Sequence, residues 1–346
     1  MKKWFFFPLL PALLLSGCAP TAPQEQGSST TYIAMNTEIK LTVFGENSEE
    51  EQQALANAVA EINRLDKLLS RHNEDSAISA INHSSGAPVE ADEEVITLLK
   101  KGVQYSKDTN GALDITVAPI MDAWNFTGAH PRVPSREELD KLLLHVGDER
   151  IAFGNGTVTL EDGMAIDLGG IAKGYASDCL SQVLNTSGID SAMVSLGGNV
   201  YVHGTKPDGS LWRIAVEDPN NSGSYFGILN VADKFAITSG GYQRYFEENG
   251  ITYYHIIDPK TGDVARNGLV SVTVVCDNGT MGDALSTALF VMGYDAAVEF
   301  WKNYETEFDM ILMDDTGHVY LTEGLKDCFE PSSTEQNYEY TFLSKT

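Results

Sequence analysis

Cysteine is scarce in this chain, which has four cysteines among 346 residues. None of them falls in a Cys-x-x-Cys pair, so a metal or redox cluster built on cysteine is unsupported. Cys179, Cys276 and Cys328 allow at most one internal disulfide, and the simplest interpretation is buried thiols that act as small apolar side chains. No GxSxG, HExxH or cysteine–histidine signature occurs, which argues against a serine hydrolase or a zinc enzyme.

Basic residues are also scarce, with 23 Lys and Arg against 49 Asp and Glu and a net charge of −26. Nucleic acid and anionic membrane surfaces would be repelled over most of such a chain, so we predict no nucleic-acid partner. An anionic ligand would need a local pocket made of backbone N–H groups, a metal ion and a few placed cations. Most of the acidic residues read as a solvated surface.

A long apolar run is missing even at the start of the chain, which reads MKKWFFFPLLPALLLSGC. The basic start and short apolar stretch indicate an export signal, and Pro8 and Pro11 interrupt that stretch, which is too short to span a membrane. Its end resembles a bacterial lipobox, which implies cleavage before Cys18 and lipid attachment there. The alternative is an ordinary secretory signal with a chance cysteine.

These features predict four segments and a location. Residues 1–17 are the signal peptide, 18–31 the lipid anchor and a Pro/Ser/Thr-rich tether, 32–330 the folded domain and 331–346 a C-terminal tail. We expect the protein outside the cytoplasm, held to the cell membrane by its lipid anchor.

Apolar periodicity predicts helices mainly in the first half of the folded chain and strands mainly in the second. The stretch YIAMNTEIKLTVFG, residues 32–45, alternates as a strand, and a helix follows with Ser48 and Glu51 in capping-box spacing. Further helices are expected from near Asp92, after Pro134 and from Ile171. We therefore predict an α+β fold and not a doubly wound sheet.

The stretch AIDLGGIAKGYASD, residues 165–178, combines a strand-like run, two glycines and a helix start. A helix N-terminus offers free N–H groups and the positive end of its dipole to an anion, and Lys173 could reach the same place. It is not a Walker loop, because Gly174 stands where Ser or Thr is required. The alternative is a glycine-rich turn with a solvated lysine.

The stretch TMGDALSTALFVMG, residues 280–293, places Asp283 and Thr287 four residues apart on one helix face, with Ser286 beside them. Carboxylate and hydroxyl oxygens suit a hard cation such as Mg²⁺ that keeps waters and contacts a phosphate. The alternative is a local hydrogen bond on a helix surface.

Two further stretches carry site candidates. YYHIIDPKTG, residues 253–262, has His255 on an apolar strand before a turn, where a structural histidine is the alternative to a catalyst. TSGGYQRYF, residues 238–246, could shape a pocket edge with Arg244 or be a simple tight turn.

Taken in order, these stretches resemble the FAD:protein FMN transferases, the ApbE family, from about Met35 to the last hairpin. AMNTEIKL, LSRHNEDSAISAIN, TNGALDITVAPIMDAWNF and VSLGGNVYVHG complete the set. The resemblance implies an ApbE-like (T-fold-like) architecture and Mg²⁺-dependent transfer of FMN from FAD to a threonine hydroxyl, with release of AMP. It also implies flavin-acceptor proteins of membrane redox systems as partners.

The resemblance assigns roles to individual positions. The implied FAD contacts are Met35, His72, Ala112, Leu113, Asp114, Asp167, Lys173 and Ile257, and the implied metal ligands are the Gly170 carbonyl with Asp283 and Thr287. The catalytic groups are predicted to be Asp283, Lys173 and His255, while Asp114, Asp167 and His255 are all open as the base. Many members have tyrosine at His72, some have aspartate at Ser286, and others have Thr or Ala at Gly170, so stacking and side-chain ligation differ there.

Two other functions fit the same residues. One is a flavin-binding or scavenging lipoprotein without chemistry, which would retain intact FAD. The other is a pyrophosphatase that cleaves FAD to FMN and AMP with water as the acceptor.

Overall fold

The structure, a computed structural model, describes residues 27–332 and 338–345. The predicted signal peptide and Cys18 lie outside the described residues. Eight α-helices are described, α1 to α8 in chain order: Ser48–Leu69, Ala77–Asn82, Glu93–Asp108, Ala118–Trp124, Arg136–Leu142, Ala172–Thr186, Gly279–Met292 and Tyr294–Asn303. Within the described ranges, no helix combines the length and apolarity needed to cross a membrane.

Seventeen strands are described, β1 to β17 in chain order: Ser28–Ala34, Thr37–Phe44, Val89–Glu90, Ala152–Phe153, Thr157–Thr159, Ser191–Leu196, Asn199–His203, Trp212–Glu217, Tyr225–Val231, Lys234–Gly240, Tyr245–Glu248, Ile251–Tyr254, Leu269–Cys276, Asp309–Asp314, His318–Thr322, Phe329–Pro331 and Glu339–Leu343. Nine of them form one sheet in the order β1-β2-β6-β7-β10-β13-β14-β15-β17. All its pairs are antiparallel except β15 with β17. The predicted α+β class is confirmed.

The large sheet is covered on its two faces by different layers. One face packs against α1, α6 and α7 in the main hydrophobic core, and α3 packs on α7. The other face packs against the small sheet β16-β9-β8 through apolar side chains such as Trp212, Phe226 and Val275. A third cluster joins α4 and α5 to the β11–β12 hairpin around Trp124. The site lies at the start of α6, beside Asp283 and Thr287 of α7.

The strand predicted over residues 32–45 is in fact the hairpin of β1 and β2, so that prediction is wrong. Met35 and Asn36 form its two-residue turn, with φ angles of 50° and 57°. Two successive left-handed residues reverse the chain as a hairpin turn requires, and Asn tolerates that conformation well. Because the chain reverses, Ile33 is 73% exposed while Ile39 is fully buried.

The folded part extends past both predicted domain limits. β1 begins at Ser28 inside the predicted tether, since its backbone pairs with β2 as far as Ser28 opposite Val43. At the other end, β17 adds Glu339–Leu343 to the large sheet in parallel with β15, inside the predicted tail. Polar composition suggested a tether and a tail, but ladder hydrogen bonds to a strand edge hold these segments.

Local helix signals are partly confirmed. α3 begins after Asp92, and Ser135 caps α5 by accepting from the Glu138 N–H, as the sequence predicts. The cap of α1 is Asn47 and not Ser48, because the Asn47 side chain accepts from the N–H groups of Glu49 and Glu50. Cys179, Cys276 and Cys328 are free thiols, and Cys276 is buried.

Candidate active site

A cavity of about 750 Å³ lies where the β1–β2 turn, α6, α7 and the segment after β12 meet. Its wall contains every described residue with a predicted site role: Met35, His72, Ala112, Leu113, Asp114, Asp167, Gly170, Lys173, His255, Ile257, Asp283 and Thr287. These residues come from segments far apart in the sequence. The structure therefore brings all of them together, and their individual roles stay predictions.

The starts of α6 and α7 hold each other by crossed carboxylate caps. Asp283 on α7 accepts from the Gly174 N–H in the first turn of α6 at 2.8 Å. Asp178 on α6 accepts from the N–H groups of Gly279 and Thr280 at 2.6 and 2.9 Å. Each carboxylate satisfies orphan N–H groups of the neighbouring helix and complements its dipole. Asp283 is thereby fixed at the cavity wall.

The two helices approach closely because glycine stands at the crossing. A Cβ added to Gly174 would lie 2.1 Å from the Gly279 carbonyl oxygen and 2.6 Å from the Asp283 Cβ. Neither atom can move away without shifting backbone. The crossing that positions Asp283 therefore requires Gly174.

We expect Gly174→Ala to lower the free energy of unfolding by about 3 kcal/mol, the upper range for overpacking, because backbone must shift. Urea unfolding measures the change. Gly170→Ala is the matched control, since its nearest contact would be a terminal methyl of Leu113 at 2.9 Å, a side chain that can rotate. Equal stability of Gly174→Ala and wild type would contradict the close crossing.

Oxygen and ammonium groups line the cavity around Asp283. The Lys173 Nζ lies 3.5 Å from the Asp283 Oδ1 and 3.4 Å from the Gly169 carbonyl oxygen. Thr287 projects from the same face of α7, and its Oγ1 lies 3.4 Å from the Ser239 Oγ. Asp283 is 2% exposed, so its charge acts in a site of low dielectric. An anion would meet both a cation and the α6 N-terminus here.

Asp167 is oriented on both of its oxygens. Its Oδ2 lies 2.7 Å from the Arg71 Nε, and its Oδ1 accepts from the Gly169 N–H at 2.7 Å. Arg71 also bonds Asp122 at 2.7 Å and so joins α4 to the glycine turn. The carboxylate of Asp167 is therefore a fixed acceptor on the wall.

Both carboxylate oxygens of Asp114 accept hydrogen bonds from neighbouring loops. Its Oδ1 accepts from the N–H and hydroxyl of Thr116 at 2.7 and 2.5 Å, and its Oδ2 accepts from the Asp148 N–H at 3.3 Å. Burial raises the pKa of Asp114, and burial together with the Asp114 charge raises the pKa of Asp148 to about 7. These contacts shape the loop and leave Asp114 poorly placed to take a proton from a ligand.

His255 also lines the cavity, at the base of the β11–β12 hairpin. The backbone N–H of His255 donates to the Arg244 carbonyl oxygen at 3.1 Å. The ring Nδ1 is buried without a hydrogen-bond partner among the described residues. Burial, with the nearby charges of Arg244 and Lys173, lowers the pKa of His255 to about 4. The imidazole is neutral at physiological pH and can accept a proton. The sequence predicted His255 on a strand, but β12 ends at Tyr254 and His255 follows it.

Several cavity residues were missed from the sequence, among them Arg71, Phe126 and Ser239. Arg71 had a signal, since it is a basic residue beside His72 in an acidic chain. Arg244, predicted as a possible pocket edge, lines the cavity and donates to the Asn36 carbonyl oxygen at 2.7 Å. Ser239 lies in the stretch predicted as a possible pocket edge, but no local pattern shows that β10 packs against α7 and brings its hydroxyl to Thr287.

Comparisons with known proteins identify the family of the chain. The ApbE family matches residues 35–312 of the chain. A FAD:protein FMN transferase from Vibrio cholerae is 33% identical over 330 residues, which cover 92% of this chain and 96% of the relative. Another, from Treponema pallidum, is 30% identical over 295 residues, covering 80% and 82%.

Solved structures show the same relation. The crystal structure of the ApbE protein from Thermotoga maritima has a TM-score of 0.82 and 33% identity, and covers 88% of this chain and 99% of its own. The apo form of the flavinyl transferase ApbE from Pseudomonas stutzeri has a TM-score of 0.77 and 27% identity, and covers 87% and 96%. The chain therefore belongs to the ApbE family and is a transferase enzyme.

Proposed function

We propose that the protein transfers FMN from FAD to a threonine hydroxyl of an acceptor protein, with Mg²⁺ bound, and releases AMP. One observation carries the proposal. The α6 N-terminus, Lys173 and the oxygens of Asp283 and Thr287 converge on the wall of a cavity that His255 also lines. The names of the matched relatives give the substrate and the transferred group.

The residues present fit a magnesium ion. Asp283 provides a carboxylate, Thr287 a hydroxyl, and Gly170 lies close to both helices, since a Cβ on it would be 3.6 Å from the Thr287 Oγ1. All are hard oxygen donors, and a single carboxylate leaves positions for water and phosphate, as Mg²⁺ prefers. A bound Mg²⁺ would neutralise charge on the phosphate oxygens.

The protein's own groups account for the remaining chemistry. The threonine oxygen attacks the flavin-side phosphorus, and the bond from that phosphorus to the bridging oxygen breaks. The electron pair leaves with AMP, where Lys173 and the α6 N-terminus stabilise the new charge. The neutral imidazole of His255 accepts the hydroxyl proton. Of the three candidate bases, His255 is favoured because Asp114 and Asp167 are held by local hydrogen bonds and an ion pair.

The cellular location of the protein is part of the same proposal. The lipobox-like end at Cys18 supports attachment to the cell membrane and activity outside the cytoplasm, close to membrane redox proteins that carry flavin. Labelling cells with a lipid precursor and comparing the chain with Cys18→Ala tests the anchor.

The test of the function uses the soluble protein from residue 19 onward, FAD, Mg²⁺ and a recombinant flavin-acceptor domain that contains threonine. Intact-mass spectrometry should find the mass of FMN added to the acceptor, and AMP should appear in equal amount. The addition should stop when EDTA removes the metal. Free FMN and AMP without addition would favour the pyrophosphatase, and intact FAD throughout would favour a binding protein.

A further inference from the structure

The β11–β12 hairpin is a two-stranded sheet outside the large sheet, and its base is part of the cavity. Arg244 precedes β11 and His255 follows β12, and both line the cavity. The base of this hairpin therefore forms part of the cavity wall next to the proposed base.

One edge of the hairpin is open. The turn at Asn249 and Gly250 has two residues, so Glu248 and Ile251 form a hydrogen-bonded pair and the next pair, Glu247 with Thr252, does not. The backbone groups of Tyr245 and Glu247 consequently point outward. No hydrogen bond from any other described part of the chain meets them.

The opposite edge is covered. Arg266 donates to the Thr252 carbonyl oxygen at 2.7 Å, and its guanidinium lies 5.1 Å from the Tyr253 ring centroid. A guanidinium across this edge blocks a further strand. The two edges of one hairpin thus differ, and only the β11 edge can be extended.

The hairpin is also held rigid against the body of the protein. Phe246 and Tyr253 stack at 5.4 Å, and they pack on Phe126 and Trp124 at 5.6 and 5.4 Å. A fixed edge loses little conformational entropy on binding. This is a property of a docking site.

The side chains beside the open edge define the partner. Tyr245 is 56% exposed and shares a face of β11 with Glu247, two residues further along the strand. Glu247 and Glu248 are exposed and carry no salt bridge among the described residues. An exposed aromatic ring beside one exposed carboxylate, with a second carboxylate on the other face of the strand, suits an extended segment that carries both apolar and basic residues.

We propose that the acceptor protein adds an extended, lysine-bearing or arginine-bearing segment as a strand on the free edge of β11. This inference rests on the proposed function. β11 runs away from the cavity from Arg244 to Glu248, so a partner added antiparallel runs toward the cavity. Its C-terminal end reaches the cavity rim beside Arg244, whose carbonyl oxygen accepts the backbone N–H of His255. The modified threonine therefore follows the docked segment in sequence.

The test uses Glu247→Pro, which removes one outward N–H and places a ring on the edge without breaking a bond of the hairpin. Thr252→Pro, on the covered edge, is the matched control. The probes are two synthetic peptides with one threonine preceded by alternating valine with either lysine or glutamate, and a folded acceptor domain serves as the reference substrate.

We expect Glu247→Pro to raise KM for the lysine peptide about tenfold, the effect of losing one or two backbone hydrogen bonds. The values of kcat and of KM for FAD should stay at the wild-type level, as should all constants of Thr252→Pro. The glutamate peptide should be the poorer substrate of the wild type, and the double variant Glu247→Lys/Glu248→Lys should reverse that order. Glu305→Lys/Glu307→Lys controls for the change in net charge.

Several outcomes overturn the inference. An unchanged peptide KM in Glu247→Pro does so, as does an equal rise in KM for FAD. Wild type that modifies the folded domain but neither peptide also contradicts docking as an extended strand. A change of oligomeric mass in Glu247→Pro by light scattering would assign the edge to contacts between copies of the chain. If wild type modifies neither peptide nor domain, the proposed function itself fails, which is a distinguishable result.

Discussion

Asp283→Asn is expected to lower the rate of FMN transfer by about 10²–10³-fold, the scale for removing a group that organises charge in a transition state. Asparagine keeps an oxygen to accept from the Gly174 N–H, so the crossing of α6 and α7 should persist. What it removes is the buried negative charge that lies beside Lys173 and that a divalent cation needs. Single-turnover transfer at saturating FAD measures the loss, and thermal unfolding should show a stable fold.

Asp178→Asn is the matched control for this prediction. Asp178 caps α7 as Asp283 caps α6, but it lies outside the cavity lining. We expect this variant to lose stability while transfer per folded molecule stays close to wild type. If Asp178→Asn and Asp283→Asn lose transfer equally, Asp283 acts only through helix packing.

His255→Gln is expected to lower kcat by about 10²–10⁴-fold, the usual contribution of a positioned general base. The pH profile of the wild type gives an independent reading. Because the pKa of His255 is lowered to about 4, the imidazole is already neutral in mildly acidic solution. As pH falls, the base becomes protonated only near that value, so kcat at saturating FAD should be level from pH 8 to about pH 5 and fall below it.

The affinity of His255→Gln for FAD shows whether the substitution removes a catalytic group or damages the cavity. Flavin fluorescence titration should give nearly the same dissociation constant for His255→Gln and wild type. A profile that falls near pH 6.5, with the ordinary histidine pKa, would contradict a buried neutral imidazole. A kcat of His255→Gln equal to that of the wild type would show that another group acts as the base.

Much of the site was predictable because its parts are short local motifs. The glycine turn before α6 predicts an anion site, and the Asp283–Thr287 spacing predicts a site for a hard cation. Each prediction needs only residues within about one helix turn. Their order along the chain then indicates the ApbE family. No local pattern shows that Asp283 caps α6 across 109 residues of sequence, since this contact exists only after α6 and α7 cross at Gly174.

The errors have equally specific causes. The alternation of Ile33, Met35 and Ile39 continues through the hairpin turn, so periodicity alone could not show where β1 ends. Asp114 is next to apolar residues in a motif, but its burial beside Asp148 depends on the chain returning 34 residues later. Arg71 matters because Asp122 and Asp167 come to it from two other elements. Tertiary contacts decide each of these cases.

The most direct measurement follows each phosphorus of FAD through the transfer reaction. FAD labelled at the flavin-side phosphorus and FAD labelled at the adenosine-side phosphorus are offered separately with the acceptor domain and Mg²⁺. Our account predicts that the first label ends on the acceptor threonine and the second in AMP. Flavin-side label released as free FMN, with none on the acceptor, would contradict FMN transfer as the reaction of this cavity.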